Sequence, residues 1–281
     1  MVTLTGLGCD THVHVVGDFA RYPMLPDRRY TPGPATATSL AAHLERIGLQ
    51  RAVLVQPSFY GTDNRCLLDT LREMGRAARA VVVLDRDVSA AQLAELDRQG
   101  VRGIRINLAS VGQSDAAFLR SELEHWAPRL VEHGWHIQIF VPKRIVAACA
   151  DTIATLPVPC VLDHVAMWDD VSCADASSGI VLALLGAGNL YIKLSASYRV
   201  PLPSDALAVV ISELIRTRAD RLLWASDWPH TSRREGTTPQ DISPYRSIAA
   251  SDLIAERNRW LRSDGLMEQV CVANPQMLYR F

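Results

Sequence analysis

The sequence predicts an α/β protein with a single (β/α)₈ TIM barrel, distorted and followed by a C-terminal helical extension. The chain of 281 residues is long enough for one such barrel. Runs rich in Val, Ile and Leu alternate about eight times with amphipathic helical patterns, which is typical of parallel strands covered by helices on both faces. Because no low-complexity segment or linker interrupts this alternation, we expect one domain over residues 1–281.

The first half of the chain contains four predicted strands: CDTHVHVV, RAVLVQPS, RAVVVLD and VRGIRINL. A stretch rich in proline, GDFARYPMLPDRRYTPGPAT, follows the first strand and contains too many breakers for a regular element. We expect it to be a loop over one face of the barrel. The predicted helices here are TSLAAHLERIG, with a Thr or Ser N-cap and a closing Gly, GTDNRCLLDTLREMGRA and SAAQLAELDRQG.

The second half repeats the same unit with the strands WHIQIFVP, VPCVLDHV, NLYIKLSAS and DRLLWASDWPH. The helices are SDAAFLRSELEHWAPRLVEHG, KRIVAACADTIATLP, ASSGIVLALLGAG and SDALAVVISELIRTRA, and the terminal helical region is DLIAERNRWLRSDGLMEQVCVAN. A doubly wound open sheet is the alternative fold. It is disfavoured because no G-x-G-x-x-G turn follows the first strand.

Composition limits the partners and the location of the protein. A formal net charge of −1 without a basic run argues against nucleic acid or an anionic membrane as partner, so we expect a small molecule. A homo-oligomer is left open. The N-terminus lacks the features of a signal peptide and no apolar run could span a membrane, so we expect a cytoplasmic protein.

The cysteines form no C-x-x-C pair and are expected to be reduced and mostly buried: Cys9, Cys66, Cys149, Cys160, Cys173 and Cys271.

Polar side chains are concentrated at the predicted carboxyl ends of the strands, where barrel enzymes carry their catalytic residues. In chain order they are His12 and His14, Gln56 and Ser58, Arg105 and Asn107, Gln138, Asp163 and His164, Lys193 and Ser195, and Asp227. His12 and His14 are two residues apart on a predicted strand, so their side chains point to the same face. Alternation sends Asp163 and His164 to opposite faces, so we expect only one of them, His164, to enter the barrel, with Asp163 as a structural partner at the strand end.

Six motifs in chain order resemble the amidohydrolase superfamily: DTHVHV, VQPSFYGTDN, GIRIN, LDHV, IKLSASYR and SDWPH. Within that superfamily the chain is most similar to the branch of 2-pyrone-4,6-dicarboxylate lactonase and related lactone hydrolases. The resemblance implies a hydrolase that acts on the carboxylic ester bond of a small lactone. It runs through essentially the whole chain.

Many members of the superfamily hold one or two divalent metals through His-x-His and further ligands on later strands. This chain departs from that pattern, since it has Arg105 and Asn107 on the fourth strand and Gln138 where a histidine is expected on the fifth. Neutral Gln is a poor replacement for imidazole. We therefore favour catalysis without a metal. One Zn²⁺ held by His12, His14 and Asp227 is the alternative.

The resemblance also implies roles for individual residues. His12, His14 and His164 would donate hydrogen bonds to the developing oxyanion, and Asp227 would act as the general base on a water molecule. The residues expected to bind substrate are Arg105, Arg199, Ser58, Tyr60, Thr62, Gln138 and His230, with the arginines capturing a carboxylate.

The pattern of the dicarboxylate lactonase fails at Val111 and Met167, where it would lead us to expect further arginines. Losing two cations favours a lactone with one acidic group, or a sugar-acid lactone, over a dicarboxylate. Three alternatives stay open: a zinc-dependent amidohydrolase or decarboxylase of the same superfamily, a lactone isomerase, and a binding protein without catalytic activity.

Overall fold

The computed structural model describes residues 4, 6–109, 115–170, 175–233, 236 and 238–281. Its strands are β1 (Cys9–Val13), β2 (Thr31–Pro32), β3 (Arg51–Val55), β4 (Ala78–Val82), β5 (Val101–Asn107), β6 (His136–Phe140), β7 (Cys160–Leu162), β8 (Leu190–Leu194), β9 (Leu222–Trp224) and β10 (Ile242–Ser243). All except β2 and β10 form one eight-stranded sheet in the order β1-β3-β4-β5-β6-β7-β8-β9, and each adjacent pair is parallel. The predicted barrel is confirmed.

Helices cover the outside of this sheet. They are α1 (Ala37–Ile47), α2 (Arg65–Met74), α3 (Ala90–Gln99), α4 (Ala116–Leu130), α5 (Lys143–Ala148), α6 (Ala150–Ala154), α7 (Ala176–Ala187), α8 (Ser204–Arg218), α9 (Ala250–Trp260), α10 (Asp264–Glu268) and α11 (Asn274–Tyr279). The N-cap of α1 is Thr36, whose side chain accepts a hydrogen bond from the amide of Ser39. The single helix predicted over KRIVAACADTIATLP is two helices, because Cys149 (φ −109°, ψ 16°) leaves the helical region between them.

The barrel closes between β1 and the segment that follows β9. Beyond the end of β9, the amide of His14 donates to the carbonyl oxygen of Trp228 at 2.8 Å, and the amide of Asp227 donates to that of His12 at 3.1 Å. The register of β1 against β3 also shifts between Asp10 and Val13. This irregular seam is the distortion of the barrel, and it places the His-x-His pair beside Asp227.

The proline-rich segment after β1 reaches the carboxyl end of the barrel, where its Tyr30 lines one cavity together with Arg105 and His164. Its strand β2 pairs in parallel with β10, with Thr31 opposite Ile242 and Pro32 opposite Ser243. The hydroxyl of Tyr245 also donates to the carbonyl oxygen of Gly33. Two loops from opposite parts of the sequence are therefore joined into one rim above the barrel.

The other expectations about the chain concern cysteines and membranes. Cys9, Cys66, Cys149, Cys160 and Cys271 are free and buried, and Cys173 lies outside the described residues. Over the ranges that the structure describes, no helix is both long enough and apolar enough to cross a bilayer.

Gly103 on β5 tests how tightly the closed amino end of the barrel is packed. A Cβ atom at this position would lie 2.6 Å from Cε1 of the His136 ring, which is fully buried on the neighbouring strand. We expect Gly103→Ala to lower the free energy of unfolding by about 2 kcal/mol or more, because a buried ring cannot give way without strain.

The matched control is Gly179→Ala in α7, where an added Cβ meets nothing within 4 Å. Alanine there is expected to leave stability unchanged or to raise it by up to about 1 kcal/mol, since glycine is the poorer helix former. Urea denaturation followed by circular dichroism measures both variants. Equal stability of the two would show that the barrel end is loosely packed.

Candidate active site

Three imidazoles converge on one carboxylate at the carboxyl end of the barrel. The Nε2 atoms of His12 and His14 each lie 3.7 Å from Oδ1 of Asp227, and Nε2 of His164 lies 3.9 Å from the same oxygen. The two Nε2 atoms of the His-x-His pair are 3.2 Å apart. All four side chains are buried. The structure thus brings the four predicted catalytic residues into one cluster.

The hydrogen-bond partner of Nδ1 shows which ring nitrogen carries the proton in His12 and in His14. Nδ1 of His12 is 3.2 Å from Oδ1 of Asp163, and Nδ1 of His14 is 2.7 Å from the carbonyl oxygen of Val55. Because both partners are acceptors, Nδ1 carries the proton and Nε2 of the neutral ring carries a lone pair. Burial lowers the pKa of His14 and of His164 to about 4 and lowers that of His12 well below its usual value. Neutral rings therefore face the centre of the cluster.

Asp227 is held through one carboxylate oxygen only. Oδ2 accepts from the Tyr198 hydroxyl at 2.6 Å and from Nε of Arg199 at 2.8 Å, whereas the buried Oδ1 has no hydrogen-bond donor among the described residues. Burial by itself raises the pKa of this carboxyl, but the charge of Arg199, with smaller effects of the neighbouring histidines, outweighs burial and holds the pKa well below its usual range. The carboxylate is ionised, and Oδ1 is available for chemistry.

A second charged layer lies beneath the histidines. Asp163 accepts from Nη2 of Arg105 at 3.0 Å and from Nε2 of Gln138 at 2.8 Å. Oε1 of Gln138 accepts from Nζ of Lys193 at 2.8 Å, and this lysine also donates to the carbonyl oxygen of Thr11 at 2.7 Å. Burial lowers the pKa of Lys193 to about 8. The positive charges of Arg105 and Lys193 offset the negative charge of Asp163. Asp163 in turn orients the imidazole of His12.

Both Asp163 and His164 reach the site, so the expectation that only one of them enters the barrel is wrong. Strand β7 ends at Leu162, and the backbone of His164 has a φ of 51°, in the left-handed region. Alternation holds only along an extended strand. Past its end, Asp163 supports the lower layer while His164 joins the cluster above.

A cavity of about 390 Å³ opens over the cluster, a volume within the range of small-molecule sites. The predicted residues on its wall are His14, Ser58, Arg105, His164, Arg199 and Asp227. The cavity therefore brings both predicted arginines and Ser58 together with the catalytic cluster.

Four predicted binding residues lie elsewhere. The Tyr60 hydroxyl is buried and accepts from the amide of Gly17 at 3.3 Å, and Thr62 is exposed outside the cavity. His230 lines a separate cavity. Gln138 is fully buried, and its amide oxygen and nitrogen are used in the lower layer. The structure does not bring these four side chains to the cavity wall.

Several residues at the site were missed from sequence. Tyr198 stands beside Arg199 in the motif SASYR, so its proximity to the base offered a signal. The others come from the two loops that form the rim, and no local pattern marked them: Arg29, Tyr30, Thr231, Arg233 and Arg246. Val111 lies outside the described residues.

The donor set of the cluster fits a divalent cation. His12, His14 and Asp227 each offer one ligand atom, and these atoms lie within 4.8 Å of one another. Lone pairs on two Nε2 atoms face a carboxylate oxygen without a donor, an arrangement that a cation stabilises. Histidines that bind metal usually donate their other N–H to a carboxylate or a backbone carbonyl, as both rings do here.

Known proteins resemble this chain over most of its length. The amidohydrolase family model matches residues 9–281. The chain is 30% identical over 287 residues to the 2-pyrone-4,6-dicarboxylate hydrolase of Comamonas testosteroni, covering 96% of this chain and 89% of that protein. It is 29% identical over 276 residues to the 4-sulfomuconolactone hydrolase of Rhizobium radiobacter, with the same two coverages of 96% and 89%.

A solved structure from Pseudomonas putida, provisionally named a 2-pyrone-4,6-dicarboxylic acid hydrolase, superposes with a TM-score of 0.82. The two chains are 28% identical, and the match covers 98% of this chain and 97% of that one. The similarity therefore extends over the whole barrel and the C-terminal helices.

Replacement of Gln138 by leucine separates a structural role from contact with substrate. Gln138→Leu removes one hydrogen bond from buried Asp163 and one from buried Lys193, and we expect the free energy of unfolding to fall by about 2 to 4 kcal/mol. The control is Gln99→Leu at the exposed end of α3, expected to change stability by less than about 0.5 kcal/mol. Unchanged stability of Gln138→Leu, with weakened binding of a lactone, would contradict this role.

Proposed function

The chain belongs to the amidohydrolase family, and from that premise we propose that it is a hydrolase that opens the ester bond of a small anionic lactone. The observation that carries the proposal is the ionised Oδ1 of Asp227, buried without a donor at the floor of a cavity walled by arginines. Relatives named for 2-pyrone-4,6-dicarboxylate and 4-sulfomuconolactone hydrolysis support the lactone as substrate class.

Asp227 is the general base in this proposal. Its Oδ1 takes a proton from a water molecule, whose oxygen then attacks the lactone carbonyl carbon. Arg199 and Tyr198 hold Oδ2, so the carboxylate cannot rotate away and remains ionised. When the tetrahedral intermediate collapses, the same carboxyl returns the proton to the ring oxygen that leaves. The product is a ring-opened hydroxy acid, or its keto form.

The lactone is oriented by charge and by the shape of the wall. Arg105 and Arg199 each make hydrogen bonds to a carboxylate of the protein, and both also line the cavity, so their positive charge acts on the ligand beside them. Ser58 adds a hydroxyl on the same wall. An anionic substituent on the lactone is therefore drawn toward the arginines, with the ester over the histidines.

The carbonyl oxygen of the lactone gains negative charge when water attacks, and a positive partner is needed to stabilise that charge. In the metal-free route expected from sequence, His12 and His14 can donate from Nε2 only as imidazolium, and the lowered pKa values of both rings oppose this. His164, whose Nδ1 lies 3.0 Å from the hydroxyl of Ser195, is the ring that can carry its proton on Nε2 while neutral. A divalent cation held by His12, His14 and Asp227 fits the lone pairs as they stand. Such a cation would polarise the carbonyl and lower the pKa of bound water. We therefore propose the metal-assisted form.

Loss of the base tests the function directly. We expect purified protein to hydrolyse members of a panel of anionic lactones, followed with a pH indicator, and Asp227→Asn to lower kcat by about 10²- to 10⁴-fold, the usual range for general-base catalysis. Asp220→Asn, at a half-buried turn after α8, is the matched control and should retain activity.

Product analysis in water enriched in oxygen-18 separates hydrolysis from isomerisation. Hydrolysis places one labelled oxygen in the new carboxylate, whereas transfer of the acyl group to another hydroxyl incorporates none. Absence of turnover on the whole panel, or rates in Asp227→Asn equal to those of the unmodified protein, would contradict the proposed function.

Metal analysis tests the form of the mechanism. We expect about one equivalent of divalent metal per chain by elemental analysis, in line with a site of three protein ligands, loss of activity on chelation and recovery on adding Zn²⁺. His14→Gln should lower the metal content, whereas His125→Gln on the surface of α4 should not. Full activity of metal-free protein would instead establish the route expected from sequence.

A further inference from the structure

Asp10 opens the motif DTHVHV and has no part in the catalytic steps proposed above. It lies on β1, two residues before the first histidine of the pair, and is fully buried. Its Oδ1 accepts a hydrogen bond from the amide of Ser226 at 3.0 Å and another from the amide of His12 at 3.3 Å. One carboxylate oxygen therefore joins the residue before the base to a histidine of the cluster, across the seam of the barrel.

The position of Asp10 coincides with an interruption of the strand. The register of β1 against β3 shifts between Asp10 and Val13. Where a ladder is interrupted in this way, buried backbone amides need other acceptors. A carboxylate only accepts, and its hydrogen bonds from N–H groups are charge-assisted, so the short side chain of an aspartate suits this place.

Ser226 extends these contacts on the other side of the seam. Its Oγ accepts from the amide of Trp228 at 3.0 Å, and the amide of Asp227 between them donates to the carbonyl oxygen of His12 at 3.1 Å. Three consecutive amides therefore each have a fixed acceptor. The φ of 62° at Asp227 is a strained conformation, which persists only where the surroundings hold it.

His43 of α1 lies behind both side chains. Nε2 of its ring is 3.2 Å from Oγ of Ser226 and 3.6 Å from Oδ2 of Asp10. The ring also stacks on that of Trp228, with centroids 5.6 Å apart and an angle of 27° between the planes. Because His43 is itself buried, a helix outside the barrel supports the turn that carries the base.

These side chains stand apart from the place of the reaction. Among the described residues, the wall of the catalytic cavity includes Asp227 but none of the three side chains behind it. Any effect that they have on the reaction must pass through the positions of Asp227 and His12. An error of about 1 Å in the placing of a catalytic group can cost about 10²-fold in rate.

We propose that Asp10 and Ser226 are positioning residues that hold Asp227 at its distance from the histidines, with His43 as their support. This inference rests on the proposed function, since it concerns the same base. The acceptor oxygen at residue 10 is what the turn requires, and its full charge is secondary. Without that acceptor the turn moves, so kcat falls while the cavity wall still binds the substrate.

Steady-state kinetics on the panel lactone that is hydrolysed fastest test this role. Asp10→Leu is similar in size but has no acceptor, and we expect it to lower kcat about 10²-fold with KM changed by less than about threefold. Asp10→Asn keeps Oδ1 as an acceptor and loses only the assistance of charge, so kcat should stay within about fivefold. Ser226→Ala removes one acceptor and should lower kcat about tenfold.

Asn274→Leu is the matched control at the amino end of the barrel. Buried Asn274 donates through Nδ2 to the carbonyl oxygens of Ala219 at 2.9 Å and Leu222 at 2.7 Å, so this variant also loses two hydrogen bonds to backbone. Thermal unfolding should show a loss of stability similar to that of Asp10→Leu. Because no contact leads from Asn274 to the base through these bonds, kcat should be unchanged.

Hydrogen–deuterium exchange measured by mass spectrometry follows the turn without any substrate. In Asp10→Leu we expect the peptide that contains residues 225–230 to exchange at least about tenfold faster than in the unmodified protein, because the amide of Ser226 has lost its acceptor. Asp10→Asn and Asn274→Leu should leave the exchange of this peptide unchanged.

An unchanged kcat in both Asp10→Leu and Ser226→Ala would overturn the positioning role. So would an equal loss of kcat in Asp10→Asn and Asp10→Leu, or in the control. If Asp10→Leu does not fold, Ser226→Ala supplies the kinetic test.

Failure of this inference differs from failure of the proposed function. Hydrolysis that depends on Asp227 but not on Asp10 or Ser226 would fault the positioning role alone. If the unmodified protein hydrolyses no lactone, the proposed function fails, whereas exchange of residues 225–230 that depends on the acceptor at residue 10 would still establish that Asp10 holds the turn.

Discussion

The seam that closes the barrel is the constraint on which the site depends. Where β9 ends, backbone hydrogen bonds from His14 to Trp228 and from Asp227 to His12 continue the contact with β1. The backbone of Asp227 has a φ of 62°, a left-handed conformation that non-glycine residues seldom adopt. The seam therefore fixes the distance between the base and the His-x-His pair, and strain at Asp227 is tolerated because both sides of the seam hold it.

Charge balance around the cluster is organised in two layers that share no residue. In the lower layer Asp163 is matched by Arg105 and Lys193, and in the upper layer Asp227 is matched by Arg199. Buried carboxylates are stable only when paired and hydrogen-bonded in this way. In the lower layer, Asp163 accepts the proton on Nδ1 of His12, so Nε2 of that ring carries a lone pair. In the upper layer, Oδ1 of Asp227 has no hydrogen-bond donor among the described residues. Together they create a centre that attracts a cation.

Much of the site could be predicted from sequence because catalytic residues of a barrel lie at the carboxyl ends of its strands. In a parallel barrel, a polar residue that follows an apolar strand lies at the carboxyl end whatever the helices do. His12, His14, Arg105, His164, Arg199 and Asp227 were all found in this way or through their motifs, and the structure brings them together. Gln138 follows the same rule and lies in register with Arg105, but its amide is bound to Asp163 and Lys193, whereas the longer arginine side chain reaches the cavity.

Local pattern by itself determined the barrel, its alternating elements and the chemistry at the strand ends, because strand and helix periodicity are properties of short segments. Tertiary structure alone decided which nitrogen of each imidazole faces the base, since that depends on acceptors such as Asp163 and Val55 far away in the chain. It also decided that Arg29 and Arg246 share one cavity mouth. Long-range pairing of two irregular loops leaves no periodic signal in sequence, so the rim could be seen only in the folded chain.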